Sequence, residues 1–398
     1  MMKLFTEYPE KDELKNYEIL TELVNIQMDN LYGDNPNDAK RDTHTKTHAL
    51  VKASLEIFDF DQDKLLQNLN LPSEQLKKIS LKQGVLAKPK TYPTYLRFAN
   101  GKSTFENDHL GDARSMSVKI MEVEGERLSQ SHDFHTQDII VQNCDIFFIK
   151  TIQDYTGFFS ALVKSKKIKS EKPVLFWLLT HLKQFKALKK ITSRVPDDLL
   201  IEKYWSGSAY ALGLNENFDP SLTGKQPIEY PAVVKYGFIP VSPNSSYSEI
   251  PYTPRPGMPK FPWQKAHKTL GLDENKLDNH YRDNMIANLA KPDALYCWDF
   301  GIQIQTNPQM SIDDVTISWD ESKSPFLKVG RLTVKHQIID FEEQKDFAED
   351  MRFSPWNGLA VHRPVGALNR LRGIVYPIVA EYRHKKRGVN YQEPKLTL

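Results

Sequence analysis

Apolar and polar positions divide this chain into stretches with the two-residue period of a strand and stretches with the period of a helix. Helical periods cover 48–58 and 62–82, and a helical insert occupies 154–203. Alternating or compact apolar runs predict strands at 95–98, 115–122, 138–149, 232–240, 294–305, 315–319 and 329–338. Strands, a helical insert and further strands predict an α+β fold, an antiparallel barrel with added helices. Residues 1–40 are polar and helix-prone, which predicts an N-terminal arm over the core.

Composition narrows the class of protein. With 398 residues, 40% hydrophobic and 26% charged, the chain has the profile of a soluble globular protein. A net charge of +2 gives no reason to expect a nucleic acid partner. Two cysteines, Cys144 and Cys297, make no disulfide framework. The longest apolar run, 174–179, is far below the roughly 20 residues that span a bilayer. We therefore expect a cytoplasmic protein.

The helical insert is strongly basic. From Lys164 to Arg194 it contains ten Lys or Arg and one acid, Glu171. Four apolar residues recur between the lysines at helical spacing: Leu178, Leu182, Phe185 and Leu188. A basic amphipathic helix is typical of peripheral contact with an anionic membrane, and its potential can also attract an anionic substrate. A contact within a homo-oligomer, or a solvated face, are the alternatives for residues 164–194.

The most informative side chain is Tyr376. Arg372 precedes it by four residues and Arg383 follows it by seven, so a helix would place all three on one face. A guanidinium near a phenol favours the ionised phenolate. A tyrosinate is a hard anionic ligand for ferric iron, as in tyrosine-ligated haem proteins. This spacing indicates a candidate iron ligand.

Further segments resemble the haem catalase superfamily in the order that the family has them. They are Arg41-Asp42-Thr43-His44, Tyr95-Leu96-Arg97-Phe98, Asp112–Ile120, Asn143–Lys150, Ser324–Leu332 and Phe353-Ser354-Pro355. With the Tyr376 segment they span 41–383. The resemblance implies a single catalase-like domain over 1–398, with an eight-stranded barrel in 41–338. It also implies haem b between the barrel and a wrapping segment, 339–398, that carries the proximal helix.

The resemblance also implies roles for single residues. Tyr376 would be the axial ligand of ferric iron, polarised by Arg372, while Arg41, Arg97 and Arg383 would bind the haem propionates and Tyr155 would form an aromatic wall. His44 would be the distal base, because Arg41 lies three residues before it. His48, four residues later, is the alternative. For the distal amide we expect Asn143, with Gln142 left open.

Two features favour a particular branch of the superfamily. The stretch Arg363-Pro364-Val365-Gly366, continued by Asn369-Arg370, resembles the allene oxide synthases and related fatty-acid hydroperoxide enzymes. Thr43 stands where catalases have valine, and Ala99 where they have serine. These features imply O–O cleavage of an organic hydroperoxide, by lyase or isomerase rearrangement or as a peroxidase. A small catalase for hydrogen peroxide, or a haem-binding protein without turnover, are the alternatives.

Overall fold

Eight antiparallel strands close into a barrel in the computed structural model, which describes residues 2–35, 38–128, 134–215, 218–242, 255–256 and 278–396. The strands follow the order β12-β13-β2-β3-β4-β5-β7-β10, and β10 pairs with β12 to complete the circle. Their bounds are β2 Thr47–Ile57, β3 Lys90–Asn100, β4 Arg114–Ile120, β5 Gln137–Gln142, β7 Tyr204–Trp205, β10 Val233–Val241, β12 Leu295–Ile304 and β13 Leu327–Lys335. The predicted α+β barrel fold is confirmed.

Alternation along the strands separates the barrel's interior from its outer face. On β3, Leu96 and Phe98 belong to the large apolar core, which also takes alternate residues of the neighbouring strands. Arg97 lies between them in sequence, so its side chain is on the outer face. Arg97 pairs with Ser117 on β4, and Ser117 pairs with Ile140 on β5. Three strands thus place one row of side chains on the outer face.

Helices cover the barrel. Those of the described chain are α1 Glu13–Tyr32, α2 Gln62–Leu66, α3 Ser73–Leu76, α4 Ile152–Lys167, α5 Lys172–Thr180, α6 Leu182–Thr192, α7 His280–Leu289, α8 Phe341–Asp350 and α9 Ala367–Arg387. The short strands β1 Thr6–Glu7 and β9 Ile228–Glu229 pair, as do β6 Arg194–Val195 and β11 Arg255–Pro256. The strands β8 Ala209–Ala211 and β14 Pro364–Val365 extend the sheet beside β10. Leu20, Val24 and Met28 of α1 pack with residues of α4 and α9.

Helix α9 is fixed at its start by close packing. Trp356 donates its indole N–H to the carbonyl of Asn369 at 2.6 Å. A side chain at Gly373 would place its Cβ 2.9 Å from two indole atoms of Trp356, so the close approach of helix and indole requires glycine. The last turn is basic, which complements the helix dipole, and Gly388 ends the helix with φ +67°.

The helix expected at 48–58 is instead strand β2. The first half of this strand is buried on both faces, because Val51 lies in the barrel core while Leu50 packs in a second apolar cluster with Met351 near the end of α8. A short run that is apolar on both faces cannot be assigned to helix or strand by its period. The cluster outside the barrel is what produced the wrong prediction.

Three other expectations also differ from the structure. The strand expected over 138–149 ends at Gln142 as β5. The predicted strand at 315–319 is a turn, in which Asp314 accepts hydrogen bonds from the backbone N–H and the hydroxyl of Thr316. The helix expected over 62–82 is two short helices, α2 and α3. The two-residue strand β7 was not predicted, since two residues carry no period.

The predicted helical insert consists of α4, α5 and α6. His181 separates α5 from α6, with φ −123° and ψ 63°. In the described part of the chain, none of the helices has the length and apolar character needed to cross a bilayer.

Candidate functional site

A cavity lies between the outer face of β3–β5 and helix α9. Its volume is about 60 Å³, and it opens to solvent. The loop before β2, the barrel row and the segment after α8 complete its walls. Its lining is Arg41, Asp42, Thr43, His44, Arg97, Ser115, Ser117, Ile140, Arg352, Phe353, Val375, Tyr376, Val379, Ala380 and Arg383.

Helix α9 presents Tyr376 and Arg383 to the cavity. Their spacing of seven residues places them on one helical face. Arg372 lies one turn earlier, with its guanidinium 6.0 Å from the ring centre of Tyr376 and 4.7 Å from that of Phe147. Nη1 of Arg372 donates to the Ser208 hydroxyl at 3.1 Å. The predicted tyrosine and its two arginines are therefore neighbours in the fold.

Three arginines from distant parts of the chain meet at the cavity. Arg97 donates from Nη2 to the carbonyl of His44 at 2.7 Å and to the hydroxyl of Thr47 at 2.6 Å. Arg41 donates to the carbonyl of Met351 at 2.6 Å. These bonds use neutral acceptors, so they compensate none of the positive charge.

Glu349 is the carboxylate that forms ion pairs with this cluster among the described residues, and Asp42 also lines the cavity. Its Oε1 lies 2.9 Å from Nη1 of Arg41 and 3.8 Å from Nε of Arg383. Across the described residues, the buried Nε atoms of Arg97 and Arg383 have no hydrogen-bond acceptor. Burial and the nearby charge of Arg41 lower the pKa of Arg383 to about 9, and the same two causes lower the pKa of Arg97. The cluster has an excess of positive charge and vacant donors, so it is suited to bind anions.

His44 adopts an unusual backbone conformation beside this cluster. Its φ is +57°, in the left-handed region that histidine seldom occupies. The His44 N–H donates to the carbonyl of Gly101 at 3.2 Å, while Arg97 holds its carbonyl. Burial, followed by the charges of Arg97 and Arg372, lowers the pKa of His44 to about 3. The imidazole is consequently neutral at pH 7, and its buried Nδ1 has no hydrogen-bond partner among the described residues.

Thr43 is exposed at the mouth of the cavity. Oδ1 of Asp42 accepts the Thr43 N–H at 2.7 Å and faces the Thr43 hydroxyl at 3.4 Å. Burial raises the pKa of Asp42. Hydrogen bonds from Thr43 and the charge of Arg383 oppose this rise in the pKa of Asp42.

His48, the alternative base, lies in a different environment. It belongs to β2 and is fully buried, with Nε2 2.8 Å from Oδ1 of Asn100 and Nδ1 3.9 Å from Oδ2 of Asp108. Its ring packs edge-on against Tyr281. Asp108 also pairs with the buried Lys46 at 2.6 Å. The structure thus gives His48 a place in a polar core network and His44 a place on the cavity.

The two candidate amides lie outside the cavity lining. Oδ1 of Asn143 accepts the backbone N–H of Arg114 at 2.8 Å, and Nδ2 lies 3.5 Å from Glu202. Gln142 donates to the carbonyl of Ile146 at 2.7 Å. The Asn143 side chain thus bonds the start of β4, and the Gln142 side chain bonds the loop that follows β5. The role of Asn143 as distal amide stays a prediction.

Tyr155 and Ala99 lie next to the site. Tyr155, on α4, packs with the apolar residues that join α1, α4 and α9, and burial raises its pKa while Arg372 opposes the rise. Ala99 pairs with Ser115, whose hydroxyl donates to the Ala99 carbonyl at 3.3 Å. Ser115 lines the cavity. Ser115 on β4 therefore supplies a hydroxyl beside Ala99 on β3, the position at which catalases have serine according to the resemblance.

The segment 363–370 supports α9 and lies outside the cavity lining. The Arg363 guanidinium lies 4.6 Å from the ring of Trp356 and 4.8 Å from that of Phe218. Asn369 accepts a hydrogen bond from Arg372 at 3.3 Å. The stretch that resembles allene oxide synthases therefore anchors the helix and positions Arg372.

Sequence reasoning missed Glu349, Arg352, Ser115 and Ser117. The two serines could have been found, because they alternate with core residues on β4 in register with Arg97. Glu349 and Arg352 end an ordinary charged helix and the turn after it, so local sequence carries no signal for them.

The residues present fit a haem group. Tyr376 offers a phenol oxygen as a ligand, Arg41, Arg97 and Arg383 offer donors for two carboxylates, and Val379 with Phe353 offers apolar walls. The described residues contain no cluster of three or more His, Cys, Asp or Glu side chains able to hold a metal ion, and a haem iron on tyrosine needs none.

Comparison with known proteins identifies the fold. No family model and no curated protein sequence matches this chain. Among solved structures it is similar to a fungal catalase, with 16% identity and a TM-score of 0.56 over 86% of this chain and 59% of that one. It is also similar to catalase A from Saccharomyces cerevisiae, with 15% identity and a TM-score of 0.56 over 86% and 61%. A bacterial catalase gives 15% and 0.53 over 89% and 60%.

The fold is therefore the catalase-like barrel. This chain spans about 60% of the length of the catalases that it matches. Identities of this size show the fold alone, so the activity has to be argued from the cavity.

Proposed function

We propose that this protein is a haem-dependent enzyme that cleaves the O–O bond of organic hydroperoxides, with fatty-acid hydroperoxides as the substrate class. One observation carries the proposal. His44, in a left-handed backbone conformation, lines the same cavity as Tyr376 and a cluster of three arginines for which Glu349 is the ion-pairing carboxylate among the described residues. Strained residues that the surrounding contacts hold in place are concentrated at functional sites.

The arginine cluster would hold haem through its two propionates. Arg41, Arg97 and Arg383 carry three positive charges, against which Glu349 provides one nearby carboxylate. Carboxylates accept charge-assisted hydrogen bonds from guanidinium groups, commonly in pairs. Arg372, held by Ser208 and Asn369, lies 6.0 Å from the ring centre of Tyr376, which would be the iron ligand.

His44 would act as the base. A neutral imidazole can accept the proton of a hydroperoxide, and the lowered pKa of His44 keeps this form present at pH 7. The bonds to Gly101 and Arg97 fix the backbone on both sides of His44, so the ring starts from a defined position. Haem, when bound, would supply the ferric iron at which the O–O bond is cleaved.

The choice of organic hydroperoxide rests on Thr43 and Ala99. The Thr43 hydroxyl adds a polar contact at the cavity mouth, and Ala99 supplies no hydroxyl of its own to orient His44. Rearrangement to an allene oxide or a lyase product, or peroxidase turnover with an external reductant, would each follow the same cleavage.

A catalase for hydrogen peroxide is the second candidate. The solved structures with this fold that we compared are named as catalases. Ser115, which lines the cavity, supplies a hydroxyl near the one that Ala99 lacks. This candidate would use the same His44, Tyr376 and arginines.

The deciding experiment gives haem-loaded protein a fatty-acid hydroperoxide and, separately, hydrogen peroxide. We expect loss of the lipid hydroperoxide with products identified by mass spectrometry, and little release of oxygen from hydrogen peroxide. His44→Gln should slow turnover by about 10²–10⁴, the usual effect of losing a general base, while retaining haem. Tyr376→Phe should lose the ferric haem spectrum.

His48→Gln and His336→Gln serve as matched controls. His336 is exposed, and its replacement should change nothing. Rapid oxygen release without lipid turnover would replace the proposal by the catalase candidate. A larger loss of activity in folded His48→Gln than in His44→Gln would contradict the assignment of the base.

A further inference from the structure

An exposed apolar surface with lysines around it lies on the helical insert. Six of the fifteen large apolar side chains that the described chain exposes fall within 168–185. We call these six the insert patch: Ile168, Leu175, Phe176, Leu179, Leu182 and Phe185. Phe176 is 70% exposed and Leu182 59%. Scattered single apolar residues are normal on protein surfaces, but six exposed within one segment of the helical insert indicate an interaction site.

The insert patch is additional to the faces that hold α5 and α6 on the protein. Helix α5 buries Trp177 and Leu178 in a cluster that also contains Ile149 and Ala161. Helix α6 buries Ala187 and Ile191 in another. A surface helix needs one apolar stripe to pack. These helices have a second stripe that faces away from the core.

Polar contacts fix the corner between the two helices. The ring of His181 stacks on Trp177 with centroids 4.1 Å apart, and Nδ1 of His181 lies 2.8 Å from the Trp177 carbonyl. Gln184 donates to Oδ2 of Asp154 on α4 at 2.7 Å. The exposed side chains therefore belong to an ordered corner, and their exposure is a property of the fold.

The charge around the insert patch selects its partner. Residues 164–194 contain ten Lys or Arg and one acid, and the lysines at the patch are exposed: Lys172, Lys183, Lys186 and Lys189. In a two-fold dimer the same surface meets itself, so these lysines would face each other. Like charges across an interface oppose association. An anionic surface with an apolar layer beneath it complements both the lysines and the apolar side chains.

We propose that the insert patch docks the protein on an anionic lipid bilayer. Phe176, Leu179 and Leu182 enter the boundary between headgroups and acyl chains, while the lysines contact lipid phosphates and carboxylates. The proposal goes beyond the hydroperoxide chemistry and does not depend on it. It assigns a membrane-binding role to the insert, which contributes no residue to the cavity lining.

Flotation of the full-length protein with lipid vesicles tests the proposal. We expect binding to phosphatidylcholine vesicles that contain phosphatidylserine, and weak binding to phosphatidylcholine alone. Phe176→Ser should weaken binding by about tenfold, from the apolar area no longer buried. Lys183→Gln and Lys186→Gln should each weaken it by about fivefold, and more salt should weaken it further.

Two control variants match these changes. Ile338→Ser removes an apolar side chain that is also 70% exposed but lies elsewhere, and Lys78→Gln removes an exposed lysine outside the insert. Neither should alter binding, and circular dichroism should show that all variants are folded. Equal binding to both vesicle types, or equal loss in patch and control variants, would overturn the proposal. So would a lipid-free dimer, seen by sedimentation, that Phe176→Ser dissociates, because the patch would then join two copies.

Discussion

Two of the buried arginines of helix α9, Arg370 and Arg383, have surroundings that differ sharply. Arg370, near its start, pairs with Glu13 through two bonds of 2.6 and 2.9 Å and contacts Glu7 and Asp313. Arg383, near its end, shares one oxygen of Glu349 at 3.8 Å with Arg41. The pKa of Arg370 is raised by its carboxylate partners, chiefly Glu13, although burial opposes this, whereas burial and Arg41 lower the pKa of Arg383.

The difference separates structure from binding. The charge of a buried guanidinium surrounded by carboxylates is neutralised within the protein. The ion pairs of Arg370 also hold the N-terminal residues Glu7 and Glu13 against α9. A buried guanidinium beside other guanidiniums is stabilised when an anion arrives from outside the chain. The first should therefore govern the stability of the protein and the second its affinity for a ligand.

The largest effect on stability is expected at Arg370. Arg370→Met leaves Glu7 and Glu13 buried without a cation, so the free energy of unfolding should fall by about 3–5 kcal/mol. Urea denaturation of the haem-free protein at pH 7 measures this. A loss below 1 kcal/mol would mean that the three carboxylates do not depend on Arg370.

A smaller effect of a different kind is expected at the cavity. Arg383→Met removes a like charge, so the unfolding free energy of the haem-free protein should stay within about 1 kcal/mol or rise. Haem affinity should fall by about 10–100-fold, because one charge-assisted hydrogen-bonding group is lost. Haem titration followed by absorbance measures it. Unchanged haem affinity together with a large loss of stability would mean that Arg383, like Arg370, stabilises the fold and does not bind the ligand.

The smallest effect concerns pH. The pKa of His44 is about 3 in the fold and ordinarily about 6.5, so between these values the unfolded state binds the extra proton. Stability should therefore fall as pH drops below 6.5, by about 1–2 kcal/mol at pH 5 from His44. His44→Asn, which tolerates the left-handed backbone, should remove this part of the loss, and His336→Gln should not. Denaturation curves at pH 7 and 5 compare the variants.

Alternation predicted most of the barrel, and its failures have physical causes. The strands β3, β4, β10, β12 and β13 have one face in the core and were found. Strand β2 was missed because Leu50 is buried on the outer face as well. The closure of the circle depends on β7 and on the pairing of β10 with β12, which are contacts that no local pattern contains.

The sequence predicted those cavity residues that belong to recognisable motifs. The motifs named His44, Arg97 and Tyr376, which the structure brings to one cavity, while their roles remain predictions. Motifs do not show where a side chain points, and the Asn143 amide turns to the backbone of Arg114. Glu349 and Arg352 reach the site through the path of the chain after α8, which only the folded arrangement reveals.

The backbone of His44 has a consequence for how this position can change over time. A left-handed conformation costs a residue with a side chain about 1–2 kcal/mol, and glycine avoids the cost. Selection for a more stable fold alone would therefore drive this position toward glycine. A histidine can persist at position 44 only while its side chain is needed, so its retention depends on the chemistry of the site. If the chemistry became dispensable, glycine or asparagine would be the first residues expected to replace it.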